Sequence, residues 1–119
     1  GVLIHMFKFI IILISITSVN ALAAEKVKLG VVGNVGSDGF FSPTITSFVI
    51  EKVEPNSPAE KAGIVAGQKI ISIENCKISG CPASEAKELM RKESGEILQL
   101  LLENEDGSQV PLKIPMNAW

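Results

Sequence analysis

The stretch VEPNSPAEKAGIVAGQKIISIEN, residues Val53 to Asn75, alternates turn residues with apolar pairs more regularly than a loop does. Ser57 is placed to cap a helix, and Pro58 takes the first helical position, where a missing N–H costs nothing. Glu60 stands three residues after Ser57 and completes an S-x-x-E capping box. Gly63 ends the helix after little more than one turn, since glycine accepts the left-handed backbone there. Ile64 and Val65 are expected to tuck into the core, Gly67 to make the next turn, and Lys69–Glu74 to form a strand.

On the N-terminal side of this stretch, Ile45–Val53 is β-branched, lies between Pro43 and Pro55, and reads as a strand. Val27–Val32, VKLGVV, is a second, shorter strand, and GNVGSDGFFSPT after it reads as a loop. The glycines in this region are spaced G-x-x-G-x-x-G across Gly30, Gly33 and Gly36. That is not the dinucleotide G-x-G-x-x-G, and no long helix follows to receive a phosphate, so nucleotide binding is set aside. Phe40 and Phe41 are expected to fold back over the core, because large apolar side chains are usually buried.

On the C-terminal side, Pro82–Lys92 reads as a second helix with Ala86, Leu89 and Met90 on one apolar stripe, stopped by Gly95. Ile97–Glu103 is a strong strand, NEDGS is a hairpin turn, and Gln109–Ile114 pairs back. Pro111 removes a ladder donor and puts that last strand at an edge or a bulge. The order is that of a small α+β domain, a partly closed antiparallel β-sheet capped by two helices.

Length and composition divide the 119 residues into two unequal parts. Lys8 precedes an apolar stretch from Phe9 to Val19, and Ala21-Leu22-Ala23 offers small residues for cleavage. The apolar run is too short to span a bilayer, which needs roughly 20 residues. Residues 1–23 are therefore read as a secretory signal peptide, with Gly1–His5 as upstream residues ahead of Met6, and residues 24–119 as a single domain. Removing residues 1–23 takes Lys8 from the 11 cationic residues, leaving 10 against 13 acidic ones and a net charge of −3. This domain holds no histidine or tyrosine and no basic run, so no nucleic-acid partner is expected. The membrane is met only transiently, through the signal peptide.

Cys76 and Cys81, spaced C-x4-C, are the only cysteines, and in an exported protein they are expected to pair. The disulfide would pin the start of the second helix, for a stabilisation of about 2 kcal/mol. Redox motifs are usually C-x-x-C, and two cysteines without histidine do not complete a zinc site, so no metal or cofactor is expected.

The segment Val53–Asn75 resembles the pattern V-x-P-G-S-P-A-x-x-A-G-[LI]-x-x-G-D-x-I-x-x-I-N-G of PDZ domains of the bacterial periplasmic, HtrA-like kind. Val53, Pro55, Ser57, Pro58, Ala59, Ala62, Gly63, Ile64, Gly67, Ile70, Ile73 and Asn75 fit it. Asn56, Gln68 and Cys76 depart from it, replacing Gly, Asp and Gly. The resemblance covers about residues 26–115 and implies a peptide-binding site. Lys28-Leu29-Gly30-Val31 resembles the carboxylate-binding loop, in which consecutive backbone N–H groups form a nest for an anion. Gly30 would let the backbone turn, Leu29 and Val31 would line the pocket for the last side chain, and Lys28 would add positive field. The ligand would add as a strand beside residues 31–35, with Ala86, Leu89 and Met90 of the second helix as the far wall, or as core.

Catalysis is not expected. Without histidine there is no Ser-His or Cys-His pair, Ser57 near Lys61 already has a capping role, and the carboxylates are scattered. The resemblance implies an exported adaptor, periplasmic or secreted, that takes C-terminal or extended segments of envelope proteins. The partner would be a peptide or protein C-terminus, such as that of an envelope protease or secretion component. Two other readings stand beside it: a regulatory module of a larger protease or secretion assembly, and a structural domain whose groove is closed by the Phe40-Phe41 loop.

Overall fold

The computed structural model describes residues 26–119, so the signal-peptide reading lies outside the described residues. The elements in chain order are β1 (Lys26–Val27), β2 (Val31–Asp38), β3 (Thr44–Val53), α1 (Pro58–Lys61), β4 (Lys69–Ile73), β5 (Cys76–Lys77) and β6 (Cys81–Pro82). They are followed by α2 (Ala83–Met90), β7 (Lys92–Glu93), β8 (Glu96–Glu103) and β9 (Gln109–Met116). The main sheet is antiparallel in the order β2-β3-β4-β8-β9, with β5 on β4 and β6 on β3, and β1 pairs separately with β7. Helix α1 packs against β9, and α2 against β4 and β6. This is the α+β arrangement of an antiparallel sheet with two covering helices.

The core follows from strand alternation. In β8, Leu98, Leu100 and Leu102 point inward while Gln99 and Ile97 face solvent. Ile50, Ile70, Ile73, Ile114 and Met116 complete the fully buried interior. Pro111 is accommodated because β9 is the edge of the sheet, as the missing donor requires.

The Val53–Asn75 corner forms through its caps. Ser57 Oγ accepts the Glu60 N–H at 3.1 Å and donates to the Glu54 carbonyl at 2.7 Å, and the side chain is fully buried. The Glu60 carboxylate reaches back to the Asn56 N–H at 3.1 Å, one residue earlier than a standard capping box. Asn56 adopts φ 63°, a conformation that asparagine tolerates better than most, which explains how it stands in for glycine. Gln68 bonds the Val65 N–H at 2.9 Å and Asn104 at 2.8 Å, tying its turn to the β8–β9 connection. At Cys76 the left-handed residue has moved to Glu74, φ 52°, and Cys76 returns to strand geometry opposite Ile73. Its disulfide to Cys81 has a Cα–Cα distance of 5.3 Å.

Four expectations need correction. β2 does not stop at Val32: it continues through Gly33 and Gly36 to Asp38, because it pairs along the whole of β3 with two register shifts. Val65 is exposed rather than tucked in. Phe40 and Phe41 are 91% and 92% exposed at the tip of the β2–β3 hairpin, touching each other edge to face at 5.0 Å. The second helix ends at Met90, two residues short of Lys92, because Arg91 turns extended and Lys92–Glu93 pair with β1.

Candidate functional site

The segment Lys28–Gly30 links β1 to β2, and it is fixed from three sides. β1 is held by β7, with Lys26 opposite Glu93 and Val27 opposite Lys92. The Leu29 carbonyl accepts the Ala59 N–H at 3.0 Å, and the Gly30 carbonyl accepts the Glu54 N–H at 2.7 Å. Gly30 has φ 89°, and a Cβ there would overlap the buried Ser57 side chain. The corner read from sequence is thus the support on which this loop rests.

That support orients the amides. In a trans peptide the N–H points opposite to the preceding carbonyl. With the Leu29 and Gly30 carbonyls turned toward the corner, the N–H groups of Gly30 and Val31 turn away from it. The Glu54-to-Gly30 bond also makes Val31–Val53 a non-hydrogen-bonded pair of the antiparallel ladder. The N–H and C=O of Val31 therefore face the open edge of β2, where no strand among the described residues pairs.

A cleft of about 860 Å³ opens along this loop. Lys28, Leu29, Gly30 and Val31 line one side, together with Lys26 and Val27. Helix α2 supplies the other side through Lys87 and Met90, Arg91 adds to it just past the helix end, and Phe48 and Glu54 close it from β3 and its end. The Phe48 ring occupies the space where a side chain on Gly33 would sit, so that glycine is what admits it. Trp119 also lines the cleft: its Nε1–H donates to the Lys28 carbonyl at 2.8 Å, and its ring lies close to Gly30. The helix is positioned from its start, where β6 pairs with Thr44 and Ile45, the Ala83 N–H donates to the Pro43 carbonyl at 2.9 Å, and the disulfide anchors Cys81.

The loop residues and Met90 come together at this cleft. Ala86 and Leu89 do not line it: Ala86 is 3% exposed in the core, and Leu89 packs half-buried against the same core. The closed-groove reading loses its support, since the Phe40-Phe41 tip is not among the cleft residues. Lys87, Arg91, Phe48 and Trp119 were missed. Lys87 shares the face of Met90 three residues on, which attention to the apolar stripe alone passes over, and Arg91 follows where the chain leaves the helix. Nothing local in the sequence places Trp119, whose partner Lys28 lies 91 residues away.

Among the described residues no group of three or more potential metal-ligating side chains gathers. No described helix is long and apolar enough to cross a membrane.

Comparison with known proteins bears on the fold. The family model for the PDZ domain matches residues 16–103. No curated protein matches. Among solved structures, the PDZ domain of a carboxy-terminal protease from Vibrio cholerae, in complex with a peptide, is 16% identical with a TM-score of 0.59, covering 80% of this chain and 96% of that one. The photosystem II D1 C-terminal processing protease is 19% identical at a TM-score of 0.59 over 85% of this chain. The serine endoprotease from Yersinia pestis is 20% identical at 0.58 over 84%. This chain covers only 26% and 31% of those two enzymes. With the family model spanning most of the sequence and the same fold in each neighbour, the chain belongs to the PDZ domain family.

Proposed function

We propose that this chain is a peptide-binding module that takes the C-terminal or extended segment of a partner protein as an added strand along β2. The observation that carries this reading is the outward-facing backbone of Val31, on an unpaired edge beside the Gly30 amide, which also turns away from the corner. An extended chain there gains ladder hydrogen bonds, and its terminal carboxylate meets the Gly30 and Val31 amides. The cleft volume falls within the range of roughly 300–1,000 Å³ usual for ligand sites. The role is binding rather than catalysis. The disulfide and the apolar N-terminal stretch support an exported adaptor, periplasmic or secreted, with residues 1–23 as its signal peptide, 24–119 as its PDZ domain and an envelope protein as its partner.

A second reading is favoured by one observation. The chain matches only part of two proteases, so it would serve as the regulatory module of a larger enzyme. A protease reading frame adjoining this one supports that alternative.

Trp119 is the sole tryptophan and lines the cleft, so its fluorescence reports occupancy. Titration with peptides ending in an apolar residue should shift the emission when the carboxylate is free and much less when it is amidated. Equal binding of the amidated form would remove the carboxylate from the mechanism, and no binding of either would remove the function.

A further inference from the structure

The Ser57 corner holds the carbonyls of Leu29 and Gly30, but the carbonyl before them is held from elsewhere in the chain. Met116 is buried at the end of β9 and delivers the tail behind it to the Lys28–Gly30 loop. There Trp119 donates its Nε1–H to the Lys28 carbonyl at 2.8 Å. A side chain on Gly30 would meet Ser57 and the Trp119 ring alike, so indole and corner hold the loop from one side. Three successive carbonyls thus rest on fixed donors: the Trp119 indole, the Ala59 N–H and the Glu54 N–H.

Each bound carbonyl sets the amide that follows it, because a trans peptide places the N–H opposite. The Trp119 bond therefore does for the Leu29 N–H what the corner does for those of Gly30 and Val31. Among the described residues no backbone carbonyl accepts the N–H of Leu29 or of Gly30. Leu29 is only 4% exposed, and a buried amide without a partner is costly, so its N–H calls for an acceptor from outside the fold. Lys28 is exposed, and without the indole its carbonyl would turn to water, which favours no single orientation. Building on the peptide-binding reading, we infer that Trp119 is a positioning residue of the anion nest: through the Lys28 carbonyl, its indole N–H aims the Leu29 amide at the carboxylate of the bound tail as a further donor. It acts by fixing the loop backbone in advance of binding, which lowers the cost of ordering it.

The test compares the full chain with Trp119→Phe, which keeps an aromatic ring and loses the N–H. One peptide with an apolar last residue is titrated calorimetrically in its free-acid and amidated forms. The variant should bind the free acid about two- to tenfold more weakly, the worth of one net hydrogen bond, and the amidated form as the parent does. Its melting temperature should not change, since Trp119 is half exposed and outside the core. A second measurement needs no variant: in the parent, the Leu29 amide resonance should move when the free acid binds and stay when the amidated peptide does. Equal weakening toward both peptides, or none toward either, would overturn the inference and make Trp119 a mere wall of the cleft. So would a Leu29 amide that ignores the free acid, even if the variant failed to fold. In each of these cases a parent that still prefers the free acid leaves the peptide-binding reading intact, whereas a parent that binds neither peptide overturns both.

Discussion

The Ser57 corner and the Phe40-Phe41 tip lie at opposite extremes of constraint. At the corner a small polar side chain is fully buried, both donating and accepting, and two carbonyls of the next segment are bound to it through Ala59 and Glu54. At the tip two large apolar rings stand in solvent and touch only each other. Hydrophobicity alone would rank the two the other way round. Place in this fold is decided by where backbone groups find partners, and a buried hydroxyl that satisfies two of them outweighs two phenyl rings at a hairpin end.

Four measurements break or sharpen that contrast. The largest effect belongs to Gly30→Val, whose Cβ meets the corner itself. Left-handed backbone costs about 1–2 kcal/mol for a non-glycine residue, and overpacking against Ser57 adds about 1–3 kcal/mol. Denaturant unfolding should show the sum, with peptide affinity falling alongside. A variant as stable as the parent would detach the loop from the corner. Next, Ser57→Ala removes the cap and leaves the Glu60 N–H without its acceptor, for a loss of about 1–2 kcal/mol. A smaller loss would mean that water or Glu60 substitutes.

Phe40→Ser with Phe41→Ser should move stability by less than about 0.5 kcal/mol, as for surface positions generally. A larger loss would show the rings packed in solution. The smallest effect is at the β8–β9 turn, where hydrogen bonds from the Ser108 hydroxyl and then the Ser108 N–H hold the Asp106 carboxyl below its ordinary range. A depressed pKa stabilises the fold above the unfolded-state value and ceases to do so as pH falls through the folded one. Acidification should thus loosen this turn, read as a lower protection factor for the Ser108 amide once the intrinsic pH dependence of exchange is divided out, while the corner stays protected. A Ser108 protection factor that does not change with pH would count against it.

The corner was legible because its signals are local: cap, proline, left-handed glycine and strand follow one another within 23 residues, Val53 to Asn75. The Cys76–Cys81 pair and the edge position of Pro111 were legible for the same reason. The course of β2 was not. Its glycines argue for a loop, and only pairing with β3 overrides them. The helical wall of the cleft was half legible: spacing identified an apolar stripe, but which of its members face inward depends on the direction of packing. That direction sends Ala86 to the core and leaves Met90, with Lys87 and Arg91, to the cleft. Trp119 was beyond reach, because a hydrogen bond to Lys28 across the whole chain leaves no mark on either neighbourhood.

The unpaired side of β2 carries a hazard as well as an opportunity. A row of free backbone groups that welcomes a guest strand will also welcome the same strand from another copy. The register shifts after Val32 and Gly36 break that row into short pieces, and the glycines at 33 and 36 leave little apolar surface to seal a longer union. A brief segment can still dock over the regular start of the strand, whereas a full-length twin meets an edge that bends away from it. The irregularities that make this strand hard to read in the sequence thus act against self-association.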